Sequence, residues 1–102
     1  MEKVAIFYRL KPGVKDTYIK RHKEIWPEMT EIMDVAGLRN YTIWCQDDML
    51  FGYYEVKDKA RADRILAESP VYNRWREEMS EFIWTNEAGQ KEWFMEQVFF
   101  HE

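Results

Sequence analysis

The first part of the chain alternates between two sides with the two-residue period of a β-strand. One side carries the larger apolar side chains: Val4, Ile6, Tyr8 and Leu10. The segment then reaches Lys11-Pro12-Gly13, a composition typical of a turn. The pattern therefore predicts a strand over Lys3 to Leu10.

A helical pattern follows between Val14 and Ala36. Its apolar residues recur at intervals of three, four or seven positions: Val14, Tyr18, Ile25, Met29, Ile32 and Ala36. Gly37 suits the end of this helical region because glycine readily adopts the left-handed conformation. Pro27 lacks an N–H group and disfavours helical geometry in the residue before it, so we expect a kink or a break there.

The middle of the chain predicts a hairpin and the second half predicts two helices. Leu38 to Cys45 and Met49 to Val56 are rich in strand-forming residues, and Gln46-Asp47-Asp48 between them suits a turn. Asp58 is a candidate cap for a short helix that runs to Glu68. Ser69-Pro70 then combines a capping residue with a proline at the first position of another helix.

The apolar tail from Glu92 to Phe100 predicts a last strand. The resulting order is β-α-β-β-α-β with the second helical region in two pieces, which is the ferredoxin-like α+β arrangement. Because 102 residues support one hydrophobic core, we expect residues 1–102 to form a single domain.

A ferredoxin-like sheet is antiparallel and has its helices on one face only, which leaves the other face to be covered in another way. The aromatic residues Tyr8, Trp44 and Tyr54 are candidates for that open face. A large exposed apolar face marks an interaction site, so we expect a homodimer that buries it.

Charge and cysteine content narrow the classes of function. Lys and Arg number 15 against 19 Asp and Glu, for a net charge of −4, which argues against nucleic acid and anionic membranes as partners. No apolar run approaches the length of a membrane span. The single Cys45 cannot form an internal disulfide, and one thiol with two histidines does not make a typical zinc site. These features predict a cytoplasmic protein without a metal.

One short stretch combines three side chains that could carry chemistry. Tyr18, His22 and Trp26 lie four residues apart, so in a helix they would share one side up to the break at Pro27. Histidine can both accept and donate a proton near neutral pH, and a neighbouring phenol can orient a hydroxyl group. On spacing alone, a histidine that packs in the core or at an interface is the more frequent case.

Four groups of residues together resemble the L-rhamnose mutarotase family over nearly the whole chain. They are Tyr18-x-x-x-His22-x-x-x-Trp26-Pro27-Glu28, Gly37-x-x-Asn40-Tyr41-x-Ile43, Leu50-Phe51, and Arg74-Trp75 with Met79 after three intervening residues. Each fragment is weak alone, but the combination is fairly specific. The resemblance therefore favours a catalytic role for His22 over a packing role.

The resemblance implies a homodimer of the dimeric α/β-barrel type. It would interconvert the α and β anomers of a 6-deoxy-hexose, most simply L-rhamnose, without a cofactor or a metal. By the same resemblance, His22 is the proton donor and Tyr18 and Tyr41 bind the substrate. Trp75 matches the first residue of a Trp-Trp pair beside the sugar. Arg76 stands at the second position of that pair and is taken as a substrate-binding residue that leaves the choice of sugar open.

Two alternatives remain at this point. Arg76 is compatible with a mutarotase for another sugar, such as L-fucose, because arginine adds a charge and five hydrogen-bond donors. A dimeric α/β-barrel module that binds or oxidises a hydrophobic small molecule is the second alternative. Such a module would not need Tyr18, His22, Asn40 and Tyr41 to converge, whereas proton transfer requires hydrogen-bond distances. We expect these four side chains to converge.

Overall fold

The structure is a computed structural model that describes residues 1–102. Its elements in chain order are β1 (Glu2–Arg9), α1 (Lys15–Lys23), α2 (Pro27–Ala36), β2 (Arg39–Gln46), β3 (Met49–Val56), α3 (Lys59–Ala67), α4 (Pro70–Ser80) and β4 (Trp93–Met95). The sheet has the strand order β2-β3-β1-β4, and every neighbouring pair is antiparallel. The predicted ferredoxin-like α+β fold is confirmed.

The first helical region is divided into two helices, as Pro27 predicts. Helix α1 ends at Lys23, and Trp26 has an extended backbone directly before Pro27, the first residue of α2. Gly37 ends α2 with a left-handed φ of 86°, and its N–H donates to the carbonyl of Asp34. Trp26 therefore lies outside α1 and does not extend the row formed by Tyr18 and His22.

The two later helices begin at the predicted caps. The Asp58 side chain accepts a hydrogen bond from the backbone N–H of Arg61 at 3.0 Å. The Ser69 hydroxyl accepts one from the backbone N–H of Tyr72 at 3.2 Å, and Pro70 is the first residue of α4. Both contacts satisfy N–H groups that have no partner inside the helix. Asp58 and Ser69 thus determine where α3 and α4 start.

The prediction that Tyr8 and Tyr54 lie on the open face of the sheet is wrong. Val4 pairs directly with Tyr54 in the sheet, and both are buried in the core. Directly paired residues share a face, and Tyr8 follows Val4 by an even number of positions, so all three face the helices. Only Trp44 of the three proposed aromatics lies on the open face, opposite Phe51.

The core consists of two clusters on the covered face of the sheet. The first is mostly aliphatic: Val4, Ala36, Leu38, Tyr54, Val56, Ala62 and Leu66. The second contains larger side chains: Leu10, Tyr18, Met29, Leu50, Trp75, Met79 and Ile83. Because Tyr18 and Trp75 belong to the second cluster, the packing of α1 and α4 on the sheet positions two of the candidate site residues.

The last strand is shorter than the sequence predicts. Only Trp93–Met95 pairs with β1, whereas the chain beyond Met95 forms no further strand. Val98, Phe99 and Phe100 are all exposed, with Val98 88% exposed. Phe100 contacts the Lys3 ammonium, 4.1 Å from its ring centroid, but most of the apolar surface that suggested a longer strand stays exposed in this chain. No helix in the structure has the length and apolarity needed to cross a bilayer.

Candidate functional site

A cavity of about 710 Å³ lies between the covered face of the sheet and the helices. Of the 24 residues that line it, 16 are hydrophobic, a balance typical of pockets that hold a small molecule with a few polar groups. All five predicted site residues line this cavity: Tyr18, His22, Tyr41, Trp75 and Arg76. No three His, Cys, Asp or Glu side chains lie close enough together to hold a metal ion.

The imidazole of His22 is held in one orientation by its own helix. Its Nδ1 lies 3.0 Å from the backbone carbonyl oxygen of Tyr18, one turn earlier in α1. Since a carbonyl oxygen can only accept, Nδ1 carries the hydrogen and donates it. The ring also packs against Tyr18 and Trp75, with centroid distances of 4.3 Å and 5.3 Å. These contacts leave Nε2 as the nitrogen that can exchange a proton with a ligand.

The surroundings of His22 lower its pKa below the usual value. Burial is the main cause, since it disfavours the charged form, and the positive charge of Arg21 acts in the same direction. The hydrogen bond to the Tyr18 carbonyl raises the pKa of His22, but its effect is smaller than that of burial. The imidazolium form of His22 is therefore a stronger acid than a solvated imidazolium, but it is less populated at neutral pH.

Three phenols of the cavity stay protonated at neutral pH. The hydroxyls of Tyr8 and Tyr18 lie 3.2 Å apart, within hydrogen-bond distance. Burial raises the pKa of Tyr18 to about 12 and raises the pKa of Tyr8 and Tyr41 well above the usual range of a phenol. Each of these side chains can donate and accept hydrogen bonds, but none is a base at neutral pH.

An irregularity in β2 separates Tyr41 from Asn40. The pairing of β2 with β3 shifts between Arg39 and Thr42, and Asn40 has a left-handed φ of 52°. Tyr41 lines the cavity and its ring stacks on Tyr54 at 5.3 Å, although 41% of Tyr41 is exposed.

The prediction that Asn40 converges with the other site residues is wrong. Its side-chain amide donates to Glu55 at 2.7 Å, and Glu55 also accepts from the Tyr53 hydroxyl. Glu55 and Tyr53 are on β3 positions that alternate with the buried Tyr54, so this small network lies on the open face. Asn40 is not among the residues that line the cavity.

Trp75, on α4, packs against both His22 of α1 and Trp26, the residue before α2. It is buried, and its ring meets the edges or faces of both His22 and Trp26 at near-perpendicular angles. Trp26 itself does not line the cavity and packs between Trp75 and the guanidinium of Arg74, which lies 4.5 Å from the Trp26 ring centroid. Trp75 thus lines the cavity, whereas Trp26 packs against Trp75 without lining the cavity.

Arg76 forms an ion pair at the cavity wall with Glu92, which was not among the predicted site residues. Its Nη2 donates to Oε1 of Glu92, and its Nη1 donates to the Tyr72 hydroxyl at 3.4 Å. Glu92 directly precedes β4, and Phe94 within β4 also lines the cavity. Alternation in the predicted last strand places Glu92 and Phe94 on the same side, since they differ by two positions, but it gives no signal for the pairing of Glu92 with Arg76.

Comparison with known proteins gives one consistent family. The sequence model of the family described as L-rhamnose mutarotase matches residues 3–101. An L-rhamnose mutarotase of Listeria monocytogenes is 43% identical over 88 residues, which are 84% of this chain and 84% of that protein. The residues matched by the family model include every residue that lines the cavity.

Solved structures give the same answer for the fold. The crystal structure of an L-rhamnose mutarotase from Formosa agariphila is similar over 100% of both chains, with a TM-score of 0.82 and 25% identity. Tetracenomycin F2 cyclase from Streptomyces glaucescens has a TM-score of 0.72 over 100% of this chain and 98% of its own, with 14% identity. This second likeness concerns the fold alone.

Proposed function

The chain belongs to the L-rhamnose mutarotase family of enzymes that isomerise anomers, and we propose that it interconverts the α and β anomers of L-rhamnose in this cavity. The observation that carries the proposal is the position of His22 between Tyr18 and Trp75, in a cavity that Tyr41 and Arg76 also line. Anomer exchange requires proton transfer at the ring oxygen and at the anomeric hydroxyl, and the cavity combines a group that can transfer a proton with phenols and an apolar wall that can hold a sugar.

In the proposed mechanism, His22 is the proton donor. Nε2–H of the imidazolium gives its proton to the ring oxygen while the bond between C1 and that oxygen breaks. The anomeric hydroxyl loses its proton to water, which yields the open-chain aldehyde. After rotation about the C1–C2 bond, the former ring oxygen attacks the other face of C1 and returns its proton to His22, while water returns a proton to the aldehyde oxygen.

The other cavity residues bind and orient the sugar in this proposal. Tyr18 and Tyr41 remain protonated, so each can donate to one sugar oxygen and accept from one hydroxyl. Trp75 covers a C–H face of the ring and also keeps His22 in place. The lowered pKa of His22 assists donation, because the ring oxygen is a weak base and accepts a proton more readily from a stronger acid.

The polar groups of the cavity favour this function over binding or oxidation of a hydrophobic molecule. A hydrophobic ligand would cover the Tyr41 hydroxyl and the hydrogen-bonding capacity that Tyr18 and the Arg76–Glu92 pair keep beyond their contacts with Tyr8, Tyr72 and each other, at an energetic cost. A polyhydroxylated ligand can satisfy all of them. The likeness to a polyketide cyclase concerns only the fold and does not alter this preference.

We also propose that the chain is one domain that forms a homodimer through the open face of the sheet. Large apolar side chains are exposed on or next to that face: Trp44, Met49, Phe51, Trp84 and Met95. Monomeric proteins rarely leave such a continuous apolar patch in water. The exposed Val98, Phe99 and Phe100 beyond β4 could be buried against the second copy in the same assembly.

Exchange NMR at the anomeric protons tests the proposed activity. L-rhamnose, L-fucose and D-glucose are brought to anomeric equilibrium, and exchange cross-peaks are recorded with and without the protein. We expect the protein to accelerate exchange most for L-rhamnose. Larger acceleration for L-fucose would make that sugar the substrate, whereas no acceleration by a folded protein with any of the three would refute the proposal.

A further inference from the structure

We propose that the Arg76–Glu92 ion pair binds two hydroxyl groups of the sugar and thereby selects among 6-deoxy-hexoses that differ in the configuration of their hydroxyls. This inference rests on the proposed function and assigns the substrate selectivity of the same cavity. Arg76 was a candidate from the sequence, whereas Glu92 was not. The two residues come from α4 and from the segment that enters β4, and both line the cavity.

The pair is positioned by contacts on both sides. The guanidinium of Arg76 donates to Glu92 through Nη2 and to the Tyr72 hydroxyl through Nη1. The Glu92 backbone carbonyl accepts from the side chain of Gln90 at 3.1 Å, which restrains the segment before β4. The Glu92 side chain is only 28% exposed. The carboxylate is therefore held in a defined place at the cavity wall.

Both members keep hydrogen-bonding capacity that the protein does not use. Oε1 of Glu92 accepts from Arg76, whereas Oε2 has no protein donor. Arg76 uses Nη1 and Nη2, and the Nε–H and the second hydrogens of Nη1 and Nη2 remain free. A carboxylate can accept from two neighbouring hydroxyls, and a guanidinium can donate to their oxygens. This is the pattern that a pair of adjacent sugar hydroxyls complements.

The electric field of Glu92 reaches the rest of the site. Its negative charge contributes to the raised pKa of Tyr8, Tyr18 and Tyr41, although burial is the main cause for each of these phenols. Glu92 therefore lines the same cavity as these tyrosines, and its charge acts on their hydroxyls. Tyr18, Tyr41, Arg76 and Glu92 all line the same cavity, so one sugar bound there can contact the phenols and the ion pair.

A second ion pair of the same type lies outside the cavity and serves as a comparison. Arg21 donates to Glu78 at 2.6 Å and joins α1 to α4, but neither residue lines the cavity. Placing charges in a largely apolar cavity costs desolvation that an apolar pair would avoid. The position of the Arg76–Glu92 pair thus favours a role in binding polar groups, beyond joining α4 to β4.

The experiment compares Glu92→Gln with Glu78→Gln. Glutamine keeps the size of the side chain but removes the charge, and Glu78→Gln breaks the ion pair that lies outside the cavity. We expect Glu92→Gln to raise KM for L-rhamnose about tenfold with kcat changed less than threefold, because hydrogen bonds to charged groups are the stronger ones. We also expect the kcat/KM ratio between L-rhamnose and L-fucose to move toward one. Glu78→Gln should change neither the KM for L-rhamnose nor the kcat/KM ratio between the two sugars.

Sugar affinity measured without turnover separates this inference from the proposed function. The dissociation constant of L-rhamnose is followed by tryptophan fluorescence, since Trp75 lines the cavity, and thermal melting reports stability. A tenfold weaker affinity in Glu92→Gln supports the binding role even if the wild-type protein did not exchange anomers. Unchanged affinity with a lower melting temperature would make the pair purely structural and overturn the inference. A loss of kcat at unchanged affinity would place Glu92 in proton transfer and also overturn it.

Discussion

The two faces of the sheet carry similar amounts of aromatic side chain but differ in the polar groups that accompany it. On the covered face, Tyr8 and Tyr41 join Tyr18 and His22 from α1 around one cavity. On the open face, Trp44 and its neighbours are mainly apolar, and Trp44 is 66% exposed. The covered face thus resembles a small-ligand site, and the open face resembles a protein–protein interface.

This difference explains why the chain contains more aromatic residues than a core of its size needs. Aromatic residues make up 17% of the sequence, including five Trp and six Tyr. On the covered face the phenols carry hydroxyls that can bind a ligand. On the open face the same ring area offers apolar contact to a second copy. Under the proposed function, the aromatic residues bind the ligand on the covered face and form the dimer on the open face, and variants on each face can separate the two roles.

The largest effect is expected from His22→Ala on the covered face. Removing the proposed proton donor should lower the rate of anomer exchange by about 100- to 10,000-fold, the usual contribution of general acid–base catalysis. Exchange NMR measures the rate, and circular dichroism checks the fold. His101→Ala removes the other histidine, which is exposed in the tail, and should leave the rate unchanged. Unaltered exchange in folded His22→Ala would remove His22 from the mechanism.

The next largest effect is expected from Trp44→Glu on the open face. A charge within the proposed dimer interface should weaken the dimer about 30-fold or more, as loss of a buried aromatic contact does in other interfaces. Sedimentation velocity over a concentration series measures this change. Val35→Glu adds the same charge at an exposed position of α2 and should leave the dimer intact. A wild-type protein that sediments as a monomer would contradict the assignment of the open face.

A smaller effect is expected from Tyr18→Phe. Loss of this hydroxyl removes the contact with Tyr8 and the proposed hydrogen bond to the sugar, so kcat/KM should fall about three- to tenfold. Tyr53→Phe removes a hydroxyl from the open face, where it donates to Glu55, and should change kcat/KM less than twofold. Equal losses in the two variants would mean that the two faces do not differ in function.

Most of the fold could be predicted from local sequence signals. Pro27 and Gly37 correctly indicated the break and the end of the first helical region, and Asp58 and Ser69 correctly indicated two helix starts. These signals are strong because each depends on the chemistry of one residue and its neighbours. The length of the last strand could not be predicted in the same way, because apolar residues favour a strand equally whether they pair or remain exposed.

The site could be predicted in part, and the errors have physical causes. Tyr18, His22, Tyr41, Trp75 and Arg76 line one cavity, but their roles came from the family resemblance and stay predictions. Asn40 was misplaced because a strand irregularity changes which side chains face the cavity, and alternation alone does not reveal it. Glu92 was missed because its partner Arg76 lies 16 residues away, and only the folded chain brings them together.

The pH dependence of exchange, measured together with the titration of His22, tests the central claim most directly. The rate of L-rhamnose exchange, corrected for the uncatalysed reaction, is recorded from pH 4.5 to 8, and NMR of the imidazole follows the protonation of His22 in the same samples. If the imidazolium is the proton donor, kcat/KM is highest at low pH and falls about tenfold per pH unit above the His22 pKa, which burial places below the usual 6.5. A rate that instead rises with pH through that transition, or does not follow it, would contradict His22 as the proton donor.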